Sequence, residues 1–277
     1  MGLRSRLTAF ALVLLSCRAK SVEHPTAVPG RGYRILSPKQ LEEGHKLPAL
    51  VVLHAFDTSA QTQAGYFDVD RVFLSRSFFV VLPEGKIDPD GHRFWNATDA
   101  CCDQHGARPD DVGYLDAVLD DALARYPIDP SRVFFTGVSN GGFMAQRYAC
   151  DRAERVRGFA SVSGALWEDL AKCAPSKPVA ALLIHGDADE IVRYDGGTSL
   201  IGTSARYPAA PVAAQFWATR AGATGRATTR LTEDTEAQTF TGGTAPVELW
   251  TLRGGGHSIP RSAGLPKRIA EFFERVR

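Results

Sequence analysis

Six short apolar runs, each closed by a residue that ends a strand, limit how this chain can fold. They are Ala49–Leu53, Phe78–Leu82, Val133–Thr136, Phe159–Val162, Val179–Ile184 and Val247–Leu252. Most are apolar nearly throughout rather than alternating, as expected of strands buried on both faces. Helical patterns fall between them. Asp111 is expected to cap a helix with Val112, Leu115, Val118, Leu119 and Leu123 on one face. A second helix should begin directly after Ser139 and run through Met144 and Tyr148. A third covers residues 213–220, and the last contains Ile269, Phe272 and Phe273. Strand and helix in turn predict an α/β fold: a mostly parallel central sheet with helices on both faces. The working residues of such sheets lie on loops beyond the C-terminal ends of the strands.

At 277 residues the chain suits one large domain, expected over residues 33–277. Lys and Arg number 32 against 31 Asp and Glu, which gives no electrostatic reason to expect a nucleic-acid partner. The N-terminus differs in kind. Arg4 and Arg6 precede an apolar run from Leu7 to Leu15, too short to span a bilayer but laid out as a secretory signal over residues 1–17. Leu14-Leu15-Ser16-Cys17 resembles a bacterial lipobox, so Cys17 is the expected lipidation site and the only expected membrane attachment. The alternative is an ordinary cleaved signal; in both cases the mature chain works outside the cytoplasm. Residues 18–32, with Pro25, Pro29 and Gly30, read as a tether.

Cys101, Cys102, Cys150 and Cys173 make an even set for an oxidising compartment and predict two disulfides. A bridge between adjacent cysteines strains the backbone, so Cys101 and Cys102 are each expected to reach one of Cys150 and Cys173, in an order left open. Cys102 and His105 have the spacing of a metal-ligand pair. No second such pair accompanies them, and neither metal nor organic cofactor is expected.

Gly137-Val138-Ser139-Asn140-Gly141 matches G-x-S-x-G between a buried strand and a helix, the context the motif requires. Ser139 is therefore the expected nucleophile. Its hydroxyl needs a base, and His257 follows the last apolar strand on a Gly254-Gly255-Gly256 loop. His54 and His185 also end strands and are expected to bond nearby backbone instead. The carboxylate that orients the base should lie on a loop between Ser139 and His257. Asp189 is expected, with Asp187 as runner-up. The oxyanion donors are expected to be the N–H groups of Asn140 and, from the loop after the first buried strand, Phe56.

With these residues assembled, the chain resembles the polyhydroxybutyrate depolymerase-like and feruloyl esterase-like enzymes, close to carbohydrate esterase family 1. The likeness runs from about residue 34 to the C-terminus. It is carried by Phe94-Trp95-Asn96-Ala97, Cys101-Cys102, Asp110-Asp111-Val112-Gly113-Tyr114-Leu115, Val138 to Met144, His185 to Asp189, Tyr194-Asp195-Gly196-Gly197 and Gly254 to His257. It implies an α/β-hydrolase fold, the triad Ser139, Asp189 and His257, and Cys101 and Cys102 pairing outward to Cys150 and Cys173. It also implies ester hydrolysis through an acyl-serine, with feruloyl esters on plant polysaccharide as the first substrate class. Hydroxybutyrate polymers or short-chain esters are the alternative, and a surface lipoprotein that only binds is the alternative of another class. Transfer of the acyl group to another alcohol is also open.

The chain departs from the family in two places. It carries His54-Ala55 where the family has His-Gly, and Ile259-Pro260 where the family has Trp-Pro. Trp95, with Ile259, is expected to line the acyl pocket, alongside Phe56. Val138 argues against the tannase-like relatives, which have cysteine there.

Overall fold

The computed structural model describes residues 21–25, 31–201, 203–260 and 264–276. The expected signal, Cys17 and much of the expected tether lie outside the described residues.

The strands are β1 Ser21–Pro25, β2 Gly32–Leu36, β3 Leu47–Leu53, β4 Phe79–Pro83, β5 Lys86–Ile87, β6 Arg93–Phe94, β7 Ile128–Val138, β8 Gly158–Val162, β9 Ala180–Gly186, β10 Gly197–Thr198, β11 Arg206–Tyr207, β12 Gly225–Arg230, β13 Thr235–Thr241 and β14 Val247–Leu252. The helices are α1 Ala60–Tyr66, α2 Val69–Val72, α3 Asp111–Arg125, α4 Asn140–Asp151, α5 Ala210–Arg220 and α6 Leu265–Arg275. Ten strands form one sheet in the order β1-β2-β4-β3-β7-β8-β9-β14-β13-β12. Its centre, from β4 to β14, is parallel and consists of the six apolar runs. Antiparallel hairpins extend both edges.

Alternate side chains of the central strands serve two cores. Ala49, Val51 and Leu53 of β3 face a layer holding Tyr114, Leu115, Tyr148 and Trp217 from α3, α4 and α5. Leu50 and Val52 face the opposite layer, where α2 and α6 contribute Val69, Ile269, Phe272 and Phe273. Phe273 stacks on Phe134 with ring centres 4.7 Å apart. Apolar side chains on both faces erase the alternation that would mark a half-exposed strand. The central six are legible in the sequence for that reason.

The structure corrects three expectations. Residues 21–25, within the expected tether, form edge strand β1 against β2. The open edge of β2 accepts main-chain pairing from Val22 and its neighbours whatever their composition, and His24 Nε2 lies 2.7 Å from the Tyr126 hydroxyl. The cap of α3 is Asp110, whose Oδ1 accepts the Gly113 N–H at 2.8 Å. Asp111 turns inward instead, to meet Arg31 and the Asn96 N–H, each at 2.6 Å.

Third, the cysteines pair as Cys101–Cys102 and Cys150–Cys173 rather than outward. Cys150 lies near the end of α4 and Cys173 just past the turn Leu170–Lys172, with Cα atoms 4.9 Å apart, so these two satisfy each other. Cys101 and Cys102 are left with one another. The vicinal pair sits beneath the nucleophile turn, where the Asn140 amide nitrogen is 3.7 Å from Cys101 Sγ.

The Cys150–Cys173 bridge closes a loop of 23 residues. In the chain-entropy picture a loop of that length contributes about 3 kcal/mol by restricting the unfolded chain. Replacing both cysteines with serine should lower the unfolding free energy by roughly that amount in urea titrations, with the native circular dichroism retained. A loss under ~1 kcal/mol would show that the bridge constrains little.

Candidate active site

Strand β7 and helix α4 meet at Ser139, whose backbone is held at φ 54° and ψ −121°. A serine in this conformation is strained, and such residues concentrate at working sites. The packing around it explains why glycine flanks it. A methyl group on Gly137 would strike the Gly141 backbone, and one on Gly141 would strike the Leu53 carbonyl at the end of β3. The Ser139 N–H donates to Val162 O at 2.8 Å, which ties the turn to the end of β8. Ser139 itself is 8% exposed at the start of α4, where helix N–H groups favour negative charge.

Asp189 follows β9. Its Oδ1 accepts the N–H groups of Ile191 and Val192, both at 2.9 Å. Its Oδ2 accepts from His257 Nδ1 at 2.8 Å and lies 3.3 Å from His185 Nε2. Burial pushes the Asp189 carboxyl up. The hydrogen bonds from His185 and His257, the His257 charge and the Val192 N–H outweigh it and hold the group well below the usual carboxylate range. The site therefore keeps a carboxylate ionised across neutral pH. His257 is set by two further bonds: its carbonyl accepts the Ser163 hydroxyl at 3.2 Å, and the next-but-one carbonyl, of Ile259, accepts the Tyr66 hydroxyl at 3.0 Å. Among the described residues no hydrogen bond joins Ser139 Oγ to His257, a contact that commonly tightens only when substrate is bound.

Asp187, the runner-up, is exposed and accepts the Gly254 N–H at 2.6 Å, so it fastens the glycine loop rather than the imidazole. His185 bonds Val192 O at 2.6 Å. His54 Nδ1 lies 2.8 Å from Ala55 O, and its Nε2 accepts the Gly85 N–H at 2.8 Å. With one ring nitrogen donating and the other accepting, His54 is a neutral strut.

The loop after β3 is defined atom by atom. The Ala55 N–H donates to Gln63 Oε1 at 3.2 Å and is thereby occupied. The Asp57 N–H donates to Arg93 O at 2.8 Å. The Phe56 N–H between them meets no acceptor among the described residues and remains, with that of Asn140, a candidate oxyanion donor. The Asn140 side chain clasps Trp95, accepting its N–H at 2.7 Å and donating to its carbonyl at 2.9 Å.

The expected pocket residues lie elsewhere. Trp95 is 0% exposed, stacks near His54 and donates its indole N–H to His54 O at 3.0 Å. Ile259 is 2% exposed and packs into the core on the α6 face. Both support the loops from behind rather than facing solvent. Only Phe56 of the three is half-exposed. Ser163 and Gln63 were not visible as site residues in the sequence. Ser163 carries a positive φ of 50° but no motif marks it, and Gln63 looks like any polar helix residue.

A strained serine at a strand-to-helix turn, with a paired histidine and carboxylate beyond the parallel strands, defines an α/β-hydrolase of the esterase class. A putative esterase, NocK, from Nocardia uniformis subsp. tsuyamanensis is 30% identical over 256 residues, covering 83% of this chain and 71% of the relative. Feruloyl esterase D of Neurospora crassa is 28% identical over 231 residues, covering 72% and 74%. Feruloyl esterase B of Piromyces equi is 26% identical over 217 residues, covering 76% of this chain and 39% of that longer protein. No family model matches the chain. Among solved structures, acetyl xylan esterase from Aspergillus awamori superposes with a TM-score of 0.69 at 14% identity, covering 91% of this chain and 99% of that one, which shows the shared fold. The chain belongs to the same esterase family as the Nocardia protein and is a carboxylic ester hydrolase.

His54 generates a pH dependence of stability. Burial, the larger influence, and the Arg93 and Arg31 charges pull it down to about 4 against the opposing bond to Ala55. The unfolded chain takes up this proton near pH 6.5, so stability falls as pH drops from there to about 4, by about 3 kcal/mol in total, and levels off below. Urea unfolding between pH 7.5 and 4.5 should show a shallower fall in His54→Gln than in the wild type. Parallel curves would rule His54 out as the source.

Proposed function

We propose that the chain hydrolyses carboxylic esters through an acyl-Ser139 intermediate, with His257 as general base and acid and Asp189 orienting it. The observation that carries the reading is the 2.8 Å Asp189–His257 hydrogen bond on the loops that flank the Ser139 turn. With Nδ1–H given to Asp189, His257 Nε2 is the unprotonated nitrogen that can take the Ser139 proton. Oγ then attacks the ester carbon, and the carbonyl oxygen gathers negative charge toward the Phe56 and Asn140 N–H groups. Collapse expels the alcohol, which leaves with the proton from His257. Water repeats the sequence on the acyl-serine, losing its proton to Nε2, and the acid departs. The imidazolium formed in each half is stabilised by the Asp189 charge.

Feruloyl esters attached to plant polysaccharide are the proposed substrates, supported by the relatives named feruloyl esterases and by the half-exposed Phe56 ring beside one oxyanion donor. We also propose that residues 1–17 direct export and that Cys17 carries a lipid, ahead of a catalytic domain whose sheet begins with β1. Two disulfides suit that compartment. Mass measurement of the mature N-terminus in the native host tests this part.

Methyl ferulate, p-nitrophenyl butyrate and hydroxybutyrate oligomers separate the substrate classes. Release of ferulate with the highest kcat/KM is expected, and none at all would end the feruloyl reading. Ser139→Ala should abolish turnover of every ester and labelling by a fluorophosphonate. Asp189→Asn should keep the fold and lower kcat by roughly 10⁴-fold, because the wrong tautomer is then stabilised. Retained labelling in Ser139→Ala would remove that serine from the mechanism.

A further inference from the structure

The turn between β5 and β6 carries Asp88, Asp90 and His92, and His105 reaches it from the loop beyond the vicinal cysteines. One ligand atom from each of Asp88, Asp90 and His105 lies within 4.8 Å of the others. His105 Nε2 is 2.9 Å from Asp90 Oδ2 and 3.9 Å from Asp88 Oδ2. The Asp88 side chain is only 2% exposed. Its Oδ1 accepts the N–H groups of Asp90 and His92, at 3.0 and 2.8 Å. Its Oδ2 is buried and has no hydrogen-bond partner among the described residues, and the same holds for His92 Nδ1, 3.6 Å away. A buried carboxylate oxygen is costly to leave without a proton or cation.

We propose that Asp88, Asp90 and His105 hold a divalent transition-metal ion of the zinc class. Zinc–ligand bonds of about 2.0–2.2 Å put the donors of a tetrahedron roughly 3.3–3.6 Å apart. The observed separations of 2.9 and 3.9 Å from His105 Nε2 to the two carboxylates bracket that value. A hydrogen bond between His105 and Asp90 would account for the shorter of them. One proton on Nε2 cannot serve Asp88 Oδ2 as well. Imidazole mixed with carboxylate selects zinc over calcium, which takes six to eight oxygens. His105 binds through Nε2 as the Nδ1–H tautomer, and both carboxylates bind ionised. Cys102, the other partner that spacing suggests for His105, is held in a disulfide and is not a ligand.

The ion is structural and takes no part in ester cleavage. It would clamp the β5–β6 turn to the loop of His105. That clamp abuts the oxyanion loop, because the His92 ring packs against Phe56 at 5.3 Å and Arg93 O receives the Asp57 N–H.

The test uses the tag-free chain with both disulfides intact, stripped with EDTA and titrated with ZnCl₂. Calorimetry should show one ion per chain, and Tm should rise by roughly 5 °C at a hundredfold excess over Kd. Co²⁺ in its place should give visible d–d absorption. His105→Ala, on a partly exposed loop, should keep its circular dichroism and lose the binding, the shift and the absorption, and Asp88→Asn should do the same. If Asp88→Asn does not fold, His105→Ala alone decides. No binding at millimolar Zn²⁺, or equal binding by wild type and His105→Ala, overturns the proposal.

Discussion

The site depends on how closely the backbone at the start of helix α4 approaches the end of strand β3. The Leu53 carbonyl lies where a Gly141 side chain would begin, and the Gly141 backbone lies where one on Gly137 would. That contact brings the loop of residues 54–56 alongside Ser139, so the proposed nucleophile and the proposed oxyanion donors are set by one packing event. The price is backbone strain at Ser139, which close-packed neighbours on both sides hold in place. Strand β8 adds a third element. Val162 O receives the Ser139 N–H, and Ser163, one residue on, gives its hydroxyl to His257 O. The ends of adjacent parallel strands thus fix the serine and the histidine relative to each other with no long side chain between them.

The Asp189 carboxylate is built asymmetrically, and the asymmetry orients His257, the proposed base. Oδ1 is saturated by two backbone N–H groups, which fixes the plane of the carboxylate. Oδ2 is left to the imidazoles. His185 does not displace His257 there, because its Nε2 sits closer to Val192 O, at 2.6 Å, than to Oδ2, at 3.3 Å. It still adds positive potential near Oδ2. A buried carboxylate supplied with this many donors stays ionised, which a residue that must stabilise an imidazolium needs.

The parts legible in the sequence share one property: their signal is local. The six central strands are read from continuous apolar runs and the elbow from five residues, while the chain order Ser139, Asp189, His257 follows from strand ends. The parts that were not legible depend on neighbours distant in the chain. Strand β12 is exposed along its whole length and has no apolar run, so its partner β13 alone defines it. Asp110 and Asp111 are both good capping residues; Arg31, about eighty positions earlier, takes the second. The cysteine pairing turned on the meeting of Cys150 with Cys173, which composition does not encode. Trp95 and Ile259 follow the family's motif positions, but depth of burial is a property of the packed sheet and helices.

That depth relocates what shapes the acyl site. Since Trp95 and Ile259 are buried, neither is available to line the proposed acyl site, and Ala55 bears on that site only through the shape of its loop. Ala55 O gathers His54 Nδ1 at 2.8 Å, Thr58 Oγ1 at 3.0 Å and the Thr58 N–H at 3.3 Å, while its own N–H is taken by Gln63. With both polar groups of Ala55 pinned, the residue has no need of glycine's freedom. The left-handed conformation falls two residues later, at Asp57, where φ is 54°. An aspartate tolerates that region better than a branched residue does. The loop of residues 54–58 therefore keeps its form through hydrogen bonds within itself and from α1 and the β6 hairpin.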